Sequence, residues 1–181
     1  ALYLGECDDL ERLGLRQHDA VTPRWQRLRD LDDQEARRVL EALRDGVWLR
    51  SLRTPFRADA VAIMRPKLTP DDVAQAIGRG LLHEGKPYDF DFDLTRSDRL
   101  VCTEVVYRAY EGIRGLRFPV TRRAGRLTIA AEDLLQMALA RTHFEPVAVY
   151  APRLAPRLLH GSEADSVLLA TLPSPLPSEA G

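Results

Sequence analysis

Between residues 60 and 93 the hydrophobic pattern passes through three different periods, a succession that points to a mixed α+β fold. Ala60-Val61-Ala62-Ile63-Met64 is a short continuous apolar run of buried-strand type, stopped by Pro66. A helix follows: Thr69 is an N-cap, Pro70 takes the first helical position, and Asp71 and Asp72 fill a first turn that favours negative charge. Val73, Ile77 and Leu81 then recur at helical spacing until Gly85. Tyr88 to Asp93 alternates strictly, with aromatics on one face and carboxylates on the other, which is the period of a strand. Elsewhere Leu2 to Leu4 read as a strand end stopped by Gly5, and Asp8-Asp9 before Leu10, Leu13 and Leu15 as one short helical turn. Ser97 or Asp98 caps a helix of about Arg99 to Gly112, Ala131 to Arg141 form another, and Phe144 to Ala151 make a last strand with Pro146 at its edge. From Trp25 to Leu49 two readings stand. Asp33 with Glu35 caps a helix carrying Val39, Leu40 and Leu43, or Val39 to Leu43 is a half-buried strand turning at Asp45-Gly46 into the strand-like Val47 to Leu52. Helices and strands alternate without a regular βαβ period.

A chain of 181 residues can bury roughly 70% of its unfolded surface, and 45% hydrophobic with 29% charged residues is a globular balance. The formal net charge of -1 gives no whole-chain attraction to nucleic acid or anionic lipid. Two cysteines exclude a framework of several disulfides, and no spaced Cys/His quartet suggests structural zinc. No apolar run approaches the roughly 20 residues of a membrane helix, so a soluble protein of cytoplasmic or periplasmic type is expected. The organisation expected is one domain over 1-151 and a Pro-containing extension over 152-181, with Ser166 to Leu172 docking on the body. Ala1-Leu2-Tyr3-Leu4-Gly5 reads as a buried strand that begins abruptly, and a leader or upstream segment before it is expected.

Cys102 lies in the first turn or so of the helix expected from Asp98. There the positive end of the helix dipole favours thiolate, whereas an ordinary free cysteine is a small buried hydrophobe. Asp89, Asp91 and Asp93 are spaced like the start of a calcium loop. The sixth and twelfth positions are Leu94 and Leu100 where Gly and Glu are needed, so a calcium hand is rejected and capping, turn and salt-bridge roles are expected. His18, His83, His143 and His160 have no metal-ligand spacing and read as bystanders, as does Cys7. No metal and no cofactor is expected.

Gly85-Lys86-Pro87-Tyr88-Asp89-Phe90 followed by Cys102-Thr103-Glu104-Val105-Val106 closely resembles the signature of the permuted papain-like amidases, the YaeF/YiiX group of the NlpC superfamily. The matching segment spans 85 to 110, and weaker agreement extends over most of residues 1 to 151. The resemblance implies a papain-like α+β fold with a central antiparallel sheet. Cys102 is its nucleophile at a helix N-terminus, a histidine is general base, and a third polar group orients that histidine. It implies that Glu104 and Tyr88 line the substrate pocket and that Glu41, if residues 39-43 are a strand, is the base's polar partner. None of the four histidines occupies the family's histidine position. In the family the base begins a strand of pattern His-Val-x-Leu/Ile-Tyr-Leu/Ile-Gly, whose end Ala1 to Gly5 resembles, so the base is expected just upstream of Ala1. The implied activity is hydrolysis of a peptide, cell-wall or lipid-linked amide. Thioester or ester hydrolysis, and a non-catalytic binding domain of the same fold, stand as the alternatives.

Overall fold

The computed structural model describes residues 1-19, 21-30 and 36-172; the expected cap at Asp33 and Glu35, and Pro173, Pro175 and Pro177, lie outside them. In chain order the main elements begin with β1 (Leu2–Gly5), α1 (Cys7–Arg12), α2 (Trp25–Asp30), β2 (Arg38–Leu43) and β3 (Gly46–Ser51). Next come β4 (Val61–Pro66), α3 (Pro70–Leu81), α4 (Cys102–Tyr110), β5 (Thr121–Arg123) and β6 (Arg126–Thr128). The last are α5 (Ala131–Ala140), β7 (Phe144–Tyr150), β8 (Leu158–Leu159) and α6 (Gly161–Thr171). Helices and antiparallel sheets together make the chain α+β, in two compact units whose boundaries fall after Ala58, after Lys67 and within α5.

The first unit contains residues 1-58 and 68-134 and is built on the antiparallel sheet β1-β2-β3. The segment with two readings is thus a hairpin. Val39, Leu40, Val47 and Leu49 are buried in it, and β2 is hydrogen-bonded on both sides, to β1 and to β3. A helix over 39-43 is overruled because the backbone there pairs with β3 throughout and with β1 over Arg38 to Leu40, which takes the place of helical hydrogen bonds. Gly46 makes the turn with φ +109, and a Cβ there would stand 2.7 Å from the carbonyl oxygen of Lys86. The backbone of residue 47 joins the same neighbour: Val47 N–H donates to Lys86 O at 2.9 Å, and Gly85 N–H to Val47 O at 2.8 Å. The hairpin therefore anchors the start of the 85-101 segment. Helix α3 begins as expected, with Thr69 Oγ1 accepting from the Asp72 N–H and the Asp72 carboxylate accepting from the Thr69 N–H. It packs on β1 and α4, and α4 packs on β2.

Two expectations in this unit are corrected. Residues 88-93 are not a strand. Tyr88 makes one isolated bridge to Leu100, and the chain then turns around the Asp89 carboxylate, which accepts from Asp91 N–H at 3.0 Å and Asp93 N–H at 2.8 Å. Asp89 is fully buried, and by taking those two donors it removes them from any ladder. Helix α4 starts later than the expected Arg99, with Val101 rather than Ser97 or Asp98 as N-cap. Leu100 is held in extended geometry, donating to Pro87 O at 3.1 Å and accepting from Asp89 N–H at 3.2 Å. The Asp98 carboxylate meanwhile pairs with Arg96 and Arg99 instead of a helix end.

The second unit comprises residues 59-67 and those from Leu135 onward, built on the sheet β4-β7-β8. Pro146 is tolerated in the middle strand because β8 pairs only with Val149 and Tyr150, and the β4 register shifts beside it, between Ile63 and Met64. Val149, Ala151, Leu159, Ala164 and Leu168 close its core, so β8 and α6 are structural parts of the unit.

Candidate active site

Cys102 is the first residue of α4 and its side chain is exposed. The sequence puts it there because Leu100 and Val101 are buried ahead of it, which turns the thiol outward at the point where the helix begins. Its neighbour Thr103 is pinned, the hydroxyl donating to Ile129 O at 2.7 Å. The first N–H groups of a helix have no intrahelical acceptor, so this terminus presents donors and the positive end of the dipole beside the sulfur.

Glu104 is the third residue of α4 and is only 1% exposed. The Val101 backbone N–H favours its anion, while Oε2 is buried without a hydrogen-bond partner. Burial above all, then the neighbouring Asp89 carboxylate, pushes this acid up to about 7, with Arg108 pulling the other way. Tyr88 is half-buried, and its phenol is pushed up by burial first and then by Cys102, with Asp89 and Glu104 adding to it and Arg44 opposing. Tyr88, on the 85-101 segment, thus lies within electrostatic range of Cys102 and Glu104 in the first turn of α4.

Glu41 stands elsewhere in the same unit, on β2 opposite Trp48 and 8% exposed. Burial pushes its carboxyl up, while the α-amino group of Ala1 and Arg50, 3.9 Å away, draw it back. Because Leu2 pairs with Leu40, Ala1 is the residue across from Glu41, so the carboxylate stands beside the start of β1.

The histidines are distributed through the fold. The ring of His18 packs against α3 at Gly78, where a Cβ would clash with it. His83 Nδ1 is 2.8 Å from Lys86 Nζ, and burial followed by Lys86, Arg108 and Arg79 pushes it down to about 4. His143 and His160 belong to the second unit, where Lys67 N–H donates to His143 O and His160 Nδ1 lies 3.0 Å from Val147 O. Cys7 is half-buried, its thiol pushed up by burial, and lines a cavity of about 220 Å³ with Arg29 and Arg38 that Cys102 does not border. Among the described residues no three His, Cys, Asp or Glu side chains gather as a metal site. No helix among them is long and apolar enough to cross a membrane.

Sequence reasoning missed how the motif's other polar residues act on the site. Lys86 Nζ donates to Ser97 O at 2.6 Å, tying the two ends of the segment before Cys102, and Arg108 holds Leu94 O and Arg96 O at 2.7 Å each. The signal for both was their place inside the Gly85 to Tyr110 stretch; the distances between partners hid them.

No curated protein and no solved structure matches the chain. The model of the permuted papain-like amidase family, YaeF/YiiX or C92, matches residues 2–159, which include β1, the hairpin, Tyr88 and the whole of α4. The match spans most of the chain, which belongs to the permuted papain-like amidase family.

Proposed function

We propose that the protein is a cysteine-dependent hydrolase of amides, with Cys102 as nucleophile. The observation that carries this reading is the exposed thiol at the first position of α4, beside Tyr88 and the buried Glu104. The Cys102 thiol gives its proton to the base and its sulfur attacks the amide carbonyl carbon, forming a C–S bond as the carbonyl π pair moves onto oxygen. The tetrahedral oxyanion is met by N–H groups at the start of α4. Collapse breaks the C–N bond and the amine leaves with a proton from the base. Water then gives up a proton to the base and attacks the thioester, the C–S bond breaks, and the acid and free thiol are released. In this reading the base is a histidine, as the family pattern gives it. Glu41, across from Ala1, is its orienting partner. Such a base contributes typically 10² to 10⁴ in rate.

The test is to alkylate the protein with iodoacetamide and locate the label by mass spectrometry, alongside a Cys102→Ser variant assayed on amide, ester and thioester substrates. Cys102 is expected to be labelled well before half-buried Cys7, with loss of amide hydrolysis in step with labelling. Label on Cys7 first, or a Cys102→Ser variant as active as the parent, overturns the proposal. Turnover confined to thioesters or esters replaces the substrate class.

A further inference from the structure

The segment after Tyr88 exposes two large aromatics. Phe90 is 65% and Phe92 is 51% exposed, on a turn whose next-door residue Asp89 is fully buried. Their rings are not loose: Tyr88 meets Phe90 edge-on at 5.0 Å between centroids and Phe92 at 6.2 Å. Phe92 sits at φ +54, a left-handed conformation unfavourable to a bulky residue that persists only where the surroundings hold it. The surroundings do so through Asp89, through Arg126 Nη1 donating to Asp91 O at 2.6 Å, and through Leu94 N–H donating to Leu127 O at 2.9 Å. A rigid, strained turn that holds two phenylalanines out in water is poor economy for folding alone.

From this we infer that Tyr88, Phe90 and Phe92 form a wall that receives an uncharged aliphatic acyl chain, so that the amide substrate is an N-acyl compound carrying that chain. For the chemistry the inference rests on the reading of Cys102 given above; for the binding it rests on the turn alone. Tyr88 links the two, because its ring packs on both phenylalanines while its phenol lies within the electrostatic reach of Cys102. The acyl half of the substrate stays on the sulfur through both steps, so a wall that begins at Tyr88 acts on it throughout. A peptide is disfavoured as the occupant because it would need backbone partners. Several of those around the turn are already taken: the Asp91 and Asp93 N–H groups by Asp89, Asp91 O by Arg126, Leu94 N–H by Leu127 and Leu94 O by Arg108, which leaves no continuous ladder for a strand. The charges of the turn are closed as well. Asp91 faces Arg96, Arg99 and Arg126 at 3.8 to 4.0 Å, and Asp93 accepts from Thr95. An electrically closed apolar wall complements an uncharged chain.

The experiment measures binding of N-acetyl-, N-hexanoyl- and N-decanoyl-glycinamide, below micellar concentrations, to the Cys102→Ser protein by calorimetry. A half-buried methylene contributes about a twofold gain, so affinity is expected to rise about 250-fold over the eight methylenes from acetyl to decanoyl. Adding Phe90→Ser, or Phe92→Ser, should flatten that dependence, while Phe90→Leu should retain most of it; circular dichroism and melting confirm folding of each variant. Equal affinity for acetyl and decanoyl ligands overturns the inference, and so does a Phe90→Ser protein with the parent's chain-length dependence. It is equally overturned if lengthening the amine side instead of the acyl side gives the gain, or if the aromatics matter only for adsorption to phosphatidylcholine vesicles. Iodoacetamide labelling reads the other question separately. An inert Cys102 with chain-length-dependent binding defeats the catalytic reading alone, and a reactive Cys102 without that dependence defeats the acyl wall alone.

Discussion

Glu104 is held where an acid is least comfortable as an anion. Its Oε2 is buried with no partner, and the buried Asp89 is a second carboxylate acting on it. Arg108, Asp93, Tyr88 and Cys102 are the other titratable or charged groups that face this site. The folded-state value of about 7 lies above the ordinary carboxylate value of 4.5, so the fold favours the neutral acid. The stability tied to that neutral form is fully present below the unfolded value and is lost as pH rises through about 7. A Glu104→Gln variant keeps an acceptor for the Val101 N–H and never ionises. Urea titrations at pH 5 and pH 8 should therefore show the variant gaining on the parent as pH rises, by on the order of 3 kcal/mol at most. A stability difference that does not change between the two pH values would show that Glu104 is hydrated. In the sequence, Glu104 is a pocket residue by resemblance alone. Its raised value comes first from burial and then from Asp89, fifteen positions earlier, and a non-local carboxylate leaves no trace in helical periodicity.

At the scale of elements, the sequence was legible where the chain itself supplies the end signals. Thr69, Pro70 and Asp72 carry the start of α3 locally, and the Asp45-Gly46 turn marks the hairpin as one of two readings. It was illegible where a side chain competes with the backbone. Residues 88-93 alternate as a strand should, yet alternation describes faces and says nothing of which backbone donors a buried carboxylate will take. The same contacts delay α4, because Leu100 is tied to Pro87 and Asp89 and only Val101 is free to become the cap. Asp89 is thus the residue on which the turn, the start of α4 and the placement of Cys102 converge. Asp89→Asn replaces one of the two accepting oxygens by a donor that faces an N–H. The expected cost is about 1–3 kcal/mol, read by urea unfolding, together with an altered rate of Cys102 alkylation. Loss of stability with an unchanged alkylation rate would separate the turn from the thiol and place Cys102 under the control of Thr103 and Ile129 instead.

For the molecule as a whole, the prolines after Ala151 mark 152-181 as an extension in which Ser166 to Leu172 docks on the body, and the composition of α6 alone does not show through which face. Only Ala164 and Leu168 of α6 are fully buried, so the helix has a narrow apolar face that a sequence pattern barely registers. What gives that face its weight is the sheet it meets. Val149 and Ala151, at the end of β7 and just after it, join Leu159 from β8 and the two α6 residues in one cluster, and α6 packs directly on β7. Large-to-small substitution in such a cluster removes transfer free energy and leaves a cavity, so Leu168→Ala is expected to cost about 2–5 kcal/mol. Its neighbour Leu169 is 60% exposed, and Leu169→Ala should stay within about 0.5 kcal/mol of the parent. The two variants differ by one position and carry the same change in composition, so their contrast isolates burial. Denaturant titration gives the magnitudes, and hydrogen exchange gives the place: the Leu168 variant should expose the amides of β7 and β8 first. Equal costs at 168 and 169 would mean that α6 does not seat through this face, and unchanged exchange in β7 and β8 would mean that the helix contributes nothing to holding that sheet.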